Sequence, residues 1–249
     1  PKLELPKDLD WDCWIGPAPM RDYHDSLHPF KWRGWFDFGC GAIGDMGCHT
    51  WDAVYWTLEP DYPTTVELVE IIDKTEETFP SKGHIKWEFP AKGKRPAFTA
   101  HWYSQLKPAV PEEMAKEKRP LPHTGSLYIG TNGKLLVAGD YSDSPRLIPE
   151  AFMQEKAAES KKLIDAVVPS PGHSAEWLMA AKGEKPWDFP GSNFANYAGP
   201  LTEVMLLGVI VEKMGQVGFK MQCDPTARTI VSKEALPFRG REPREGWKF

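Results

Sequence analysis

A chain of 249 residues, 41% hydrophobic and 26% charged, is long enough to bury a sizeable core as one large domain or two small ones. A net charge of −5 with no long Lys/Arg block argues against nucleic acid or an anionic membrane as main partner, and no apolar run looks long enough to span a bilayer. Cys13, Cys40, Cys48 and Cys223 contain no C-x-x-C pair and no zinc spacing, so buried or inert thiols are expected, with one disulfide as the alternative. The sequence begins at Pro1 with neither initiator Met nor signal peptide and reads as a fragment, so its compartment, cytoplasmic or exported, stays open.

Residues 1–38 read as an irregular, extended N-terminal segment. Pro1, Pro6, Pro17, Pro19 and Pro29 forbid long regular elements. Trp11, Trp14, Tyr23, Phe30, Trp32 and Trp35 lie between them, so the segment is expected to wrap the body of the protein. His24 and His28 are followed by Pro29 and have no third ligand at matching spacing, which favours a loop pair over a metal site. Eleven Trp suit sugar-stacking clefts, and also an ordinary aromatic core, the more common case.

The stretch Gly39-Cys40-Gly41-Ala42-Ile43-Gly44-Asp45-Met46-Gly47-Cys48-His49, continuing to Leu58, has helical spacing. At about 100° per residue, Ile43, Gly47, Trp51, Val54 and Leu58 form an apolar stripe. Asp45, His49, Asp52 and Trp56 gather opposite, within roughly 60°. Asp45 and His49, one turn apart, can touch or converge on one ligand. Gly39, Gly41 and Gly44 match the dinucleotide fingerprint G-x-G-x-x-G literally. The run before them, Trp32 to Phe38, is aromatic and charged instead of a β-branched strand. Asp45 would also put a carboxylate where a pyrophosphate should sit. The Rossmann reading is therefore rejected.

Glu59 to Pro63 is a turn. Strands are expected at Thr65 to Ile72, His84 to Phe89, Ala97 to Tyr103, Ser126 to Gly130 and Lys134 to Ala138. Thr131-Asn132-Gly133-Lys134 signals a hairpin. Strands that follow one another without helices imply a mainly antiparallel open sheet packed on helices, an α+β fold. Lys107 to Pro122, poor in aliphatics, reads as a mobile surface excursion and candidate lid. Helices are expected over Ala151 to Val167 and over His173 to Lys182, the latter stopped by Gly183. The most apolar helix, Pro200 to Met214, carries Leu201, Val204, Met205, Leu207 and Val211, with Gly208 allowing close approach and Gly215 ending it. Phe219 to Cys223 suggests a last strand, and the tail from Phe238 to Phe249 alternates Arg and Glu. No repeat and no clear linker divides residues 1–249, which read as one substrate-binding and oligomerisation domain.

His and Asp on one helix face suit dehydrogenation of a carbinol: hydride leaves carbon while a base takes the hydroxyl proton, and His titrates near neutral pH. The competing reading is a hydrogen-bonded structural His beside a solvated Asp. Trp32, Arg33 and Trp35 precede the glycines and can reach the same cleft. The Arg33 fork suits hydroxyl pairs or a carboxylate, and a surface ion pair accounts for it equally well. His173 is a further candidate, or simply begins its helix.

Gly41-Ala42-Ile43-Gly44-Asp45-Met46-Gly47-Cys48-His49-Thr50-Trp51-Asp52 resembles the G-x-x-x-D-x-G-x-H-x-x-D helix of the Gfo/Idh/MocA oxidoreductases, in the bacterial branch with an expanded second domain. Supporting stretches are Leu9 to Pro19, Trp32 to Trp35, Phe36 to Gly39, Glu176-Trp177, Leu201-Thr202-Glu203 and Arg244 to Trp247. The resemblance implies an NAD(P)-dependent sugar or cyclitol dehydrogenase, Asp45 and His49 at the catalytic centre with His49 transferring the proton, and subunit pairing into a homo-oligomer through the open sheet face. Asp52, Trp56, Trp32, Arg33, Trp35 and His173 would bind substrate. The family's Rossmann domain, with its Glu-Lys-Pro lysine, is absent from this sequence. Glu184-Lys185-Pro186, beyond a late helix, reads as a turn. NAD or NADP would therefore be held mainly outside this chain, which has no cofactor-binding residues of its own and is expected to be inactive in isolation. The same residues would serve a redox glycosidase of the superfamily. A non-catalytic sugar-binding module and an oligomerisation domain are the remaining alternatives.

Overall fold

In a computed structural model that describes residues 2–247, the strands are β1 (Thr65–Ile72), β2 (Lys82–Phe89), β3 (Phe98–Ser104), β4 (Gly125–Ile129), β5 (Lys134–Ala138), β6 (Asp143–Ile148), β7 (Lys220–Asp224) and β8 (Thr229–Ile230). The helices are α1 (Trp11–Ile15), α2 (Gly41–Thr50), α3 (Asp52–Leu58), α4 (Glu112–Lys116), α5 (Glu150–Glu155), α6 (Ala157–Asp165), α7 (His173–Ala181) and α8 (Gly199–Met214). A π-helical turn, Phe194–Ala198, precedes α8. Pro1, Lys248 and Phe249 lie outside the described residues. The fold is α+β, and its contacts divide it into two compact units. One comprises the chain up to Gly47, Pro60–Lys107 and the chain from Val204 onward; the other comprises Cys48–Glu59 and Pro108–Glu203.

The first unit is built on the period-two pattern of β2. Ile85, Trp87 and Phe89 face inward, while His84, Lys86 and Glu88 face out. The sheet is antiparallel throughout, in the order β3-β2-β1-β7-β8. Val66, Leu68, Ile85, Trp87 and Met221 are buried on its inner face, as are Ile43 of α2 and Val204, Met205 and Val211 of α8. Each such side chain contributes on the order of 2 kcal/mol through burial. Gly208 makes the close approach its sequence suggested: a Cβ there would lie 2.5 Å from Ile43 Cδ1 and 2.6 Å from Trp87 Cζ2. The buried Trp87 indole donates to the Val204 carbonyl at 3.2 Å. The opposite face is polar, with Lys86 Nζ 2.5 Å from Glu67 and Lys220 Nζ 3.6 Å from Glu88.

The N-terminal segment is irregular apart from α1 and a 3-10 turn at Lys31–Gly34. It is tied down by backbone bonds from Phe36 N to Glu77 O and from Phe79 N to Gly34 O, both 2.9 Å. Arg21 adds ion pairs to Asp37 at 3.0 Å and Glu77 at 2.8 Å. The described part of the Arg/Glu tail returns to this segment, with Arg244 donating to the Gly16 carbonyl at 2.8 Å and pairing with Asp12.

The second unit holds the small antiparallel sheet β4-β5-β6. Here the structure corrects the mobile-excursion reading of Lys107 to Pro122. That segment contains α4, whose Met114 is fully buried with Leu136 and Ile148. Glu113 pairs with Lys134, and Glu117 accepts the Glu150 N–H at 2.8 Å. One well-placed methionine fixes a segment whose composition suggested a free loop. The expected hairpin forms, but its bond from Gly130 N to Gly133 O leaves Thr131 and Asn132 as the loop. Gly133 keeps φ negative, and its small size answers to Phe152 instead: a Cβ would lie 3.1 Å from that ring. Strand β6 escaped the pattern because it is a polar edge strand, and its Pro145 is tolerated there.

Three further expectations are revised. The run from Gly41 to Leu58 is two helices, broken at Trp51, where the Ser126 hydroxyl takes the Thr50 carbonyl at 2.9 Å. Tyr55 is buried in place of Val54 and Leu58. The run Ala151 to Val167 likewise splits into α5 and α6 at Lys156. The run Phe194–Met214 does reach the length and apolarity of a membrane span, at 21 residues and mean hydropathy 1.4, yet Leu201, Val204, Met205, Leu207 and Val211 are buried within the fold. Among the described residues no disulfide joins the four cysteines; Cys13 and Cys40 are exposed and Cys223 is buried.

Candidate functional site

The glycines before α2 position the site by letting backbone segments touch. A Cβ on Gly39 would lie 2.4 Å from both Cα and O of Arg33, so only glycine lets the Lys31–Gly34 turn pack against the start of α2. Gly41 has φ 65° and abuts the Phe79 ring, 2.6 Å from an imagined Cβ. The positions where a pyrophosphate would need room are thus filled by the chain itself. The residue run before them is a 3-10 turn, not a strand. These glycines do not fit a dinucleotide, in agreement with the rejection of the Rossmann reading.

The packed turn aims Arg33 at α2. Its Nε lies 3.3 Å from Asp45 Oδ2. Its guanidinium lies over the Phe30 ring at 3.9 Å and the Trp32 ring at 4.8 Å, and it donates to the Phe30 carbonyl. Aromatic faces on a cation hold the fork in place. Trp35 serves the scaffold: its indole donates to the Ser26 carbonyl at 2.9 Å, and Arg21 stacks over it at 5.1 Å. Trp32 and Arg33 are thereby gathered with Asp45, and Trp35 is engaged elsewhere.

Asp45 and His49 are both exposed, one turn apart on α2, and Ile43 and Gly47 on the other side are buried. Asp45 is paired with Arg33 and not with His49. The ring beside His49 is Tyr141, with centroids 5.4 Å apart and planes at 80°.

On α3, Asp52 is tied to Tyr197, whose hydroxyl donates to both the Asp52 carbonyl and its carboxylate at 2.8 Å. Burial first, and this bond second, hold the phenol proton well above its usual range. Trp56 is exposed and meets Tyr197 edge-on at 5.2 Å. Gly191 lies against Trp56, 3.2 Å from an imagined Cβ to Cη2, and donates its N–H to Glu176 at 3.1 Å. His173 is exposed at the first position of α7; hydrogen bonds from Ser170 and then Gly191, with a smaller contribution from His173, lower the Glu176 carboxyl. Asp52 and Trp56 are therefore gathered around Tyr197. Neither Tyr141 nor Tyr197 was singled out from the sequence, because each is distant along the chain and lies in a run without periodicity. Glu184-Lys185-Pro186 is a turn, as expected. Among the described residues, no three His, Cys, Asp or Glu side chains gather in a way that would hold a metal ion.

Residues 1–87 match the family model described as the oxidoreductase family C-terminal alpha/beta domain of Gfo/Idh/MocA. The match supports a Gfo/Idh/MocA C-terminal domain and contains Trp32, Arg33, Trp35, Asp45, His49, Asp52 and Trp56; His173 lies beyond it. No curated protein matches the chain.

Proposed function

We propose that this chain is the substrate-binding domain of an NAD(P)-dependent oxidoreductase that acts on a sugar or cyclitol. The observation that carries the reading is the exposed face of α2, where Asp45 and His49 stand one turn apart inside the stretch matched to the oxidoreductase domain. In this reading the His49 imidazole takes the proton of the reacting hydroxyl and returns it in the reverse direction. The Asp45 carboxylate accepts hydrogen bonds from neighbouring hydroxyls, and the ion pair with Arg33 orients it. NAD or NADP belongs to a domain outside this chain, and no residue described above is assigned to it. Self-association through the polar outer face of the five-stranded sheet belongs to the same proposal.

The test uses the full-length protein with a panel of pyranoses and inositols, following nicotinamide absorbance. Turnover that collapses in both Asp45→Asn and His49→Ala, with cofactor still bound, is the expected result. Cofactor bound with no turnover on any polyol would overturn the dehydrogenase reading. Light scattering of the same preparation reads the oligomer, and a strict monomer would remove the self-association.

A further inference from the structure

Tyr141 is placed at some cost. It lies in the β5–β6 connection, where Gly139 and Ser142 take φ values of 82° and 63°, and Ser144 at the start of β6 takes 49°. Left-handed backbone at two serines is unfavourable and persists only where its surroundings hold it. The ring is 71% exposed, so core burial does not repay that strain. What the loop achieves is to stand the phenol ring nearly perpendicular to the His49 imidazole, at 80° and 5.4 Å between centroids. Both residues belong to the same compact unit.

Two perpendicular rings make a corner. One wall carries an imidazole nitrogen that can exchange a proton with a hydroxyl. The other is an apolar aromatic face with a negative quadrupole, which attracts weakly positive C–H groups. We propose that Tyr141 is a stacking platform that makes this site selective for ring polyols over open-chain ones; the proposal rests on His49 being the substrate-facing base. A pyranose or inositol presents a preformed patch of C–H groups on one face and hydroxyls around its rim. It can lie on the phenol and direct one hydroxyl at His49. An open-chain alditol has the same hydroxyls but no fixed C–H face, and ordering its rotors adds an entropic penalty that the rigid ring avoids.

Calorimetric titration of the chain with myo-inositol, glucose and glucitol tests this, using wild type, Tyr141→Phe, Tyr141→Ala and His49→Ala. Wild type is expected to bind at least one ring polyol about tenfold more tightly than glucitol. Tyr141→Phe should keep that ratio, and Tyr141→Ala should bring it close to one by weakening the ring ligand alone. An unchanged ratio in Tyr141→Ala, or equal affinity of wild type for rings and glucitol, overturns the proposal. If His49→Ala loses binding while Tyr141→Ala does not, the platform fails and the reading of His49 stands. If wild type binds no polyol, both fall. Thermal melts of the variants keep a folding defect distinct from a lost contact.

Discussion

The Arg33 guanidinium stands 3.3 Å from the Asp45 carboxylate, and Gly39 is what permits it. In Gly39→Ala the new methyl would meet Arg33 backbone at 2.4 Å, so the turn must retreat and carry Arg33 away from Asp45. Gly39→Ala should cost about 1–3 kcal/mol in urea denaturation and weaken polyol binding. Arg33→Ala separates the two effects. The pair is partly exposed, so its loss should change stability by less than about 1 kcal/mol while still weakening polyol binding. Equal polyol affinity in wild type and Arg33→Ala would assign Arg33 to the surface ion pair alone.

Gly208 lets α8 approach Ile43 and Trp87 closely. Alanine is the better helix former by about 1 kcal/mol, so propensity alone predicts stabilisation. Overpacking wins here, because the methyl would lie within 2.6 Å of two buried side chains. Gly208→Ala should lower stability by about 1–3 kcal/mol, seen as a lower urea midpoint. A raised midpoint would mean the helix moves away without loss.

Glu212, on α8, is only 2% exposed, and Gly83 leaves room for its carboxyl, 2.9 Å from an imagined Cβ. Burial pushes this carboxyl up to about 8 from an ordinary 4.5. The folded chain keeps the proton while the unfolded chain releases it. Stability from this group is therefore full below about 4.5 and lost as the pH rises through about 8. Glu212→Gln, neutral at every pH, should remove a decline on the order of 5 kcal/mol across that window. Parallel pH–stability curves for wild type and variant would refute it.

On the outer face of the sheet, His84 Nε2 lies 2.8 Å from His101 Nδ1, and His84 stacks on Tyr103 at 4.2 Å. Burial, then the His101 and Lys86 charges, pushes His84 down to about 4 from 6.5; Glu67 opposes this. His101 is lowered too, by burial and then Lys86. The folded pair resists protons that the unfolded chain accepts. Stability from His84 is thus full above about 6.5 and lost as the pH falls towards about 4. Wild type should lose more stability than His84→Gln between pH 7.5 and pH 5, as measured by urea midpoints. An equal loss in both would show that the pair does not titrate in this range.

The sequence by itself determined the elements whose signal is local. Period-two alternation in β2, the glycine stop after α7 and the small-residue position at Gly208 are set by side-chain direction and backbone freedom within a few residues. The same locality made Asp45 and His49 legible, because one helical turn fixes their common face whatever lies nearby. Only the tertiary structure decided what each of them meets. Asp45 is paired with Arg33 because a glycine lets a turn touch a helix; His49 stands against Tyr141, and Asp52 against Tyr197, across long sequence separations. The break at Trp51 and the anchoring of α4 by Met114 were equally invisible, since each involves partners distant along the chain. A hydrogen bond to Thr50 and one buried thioether leave no periodic trace in a chain.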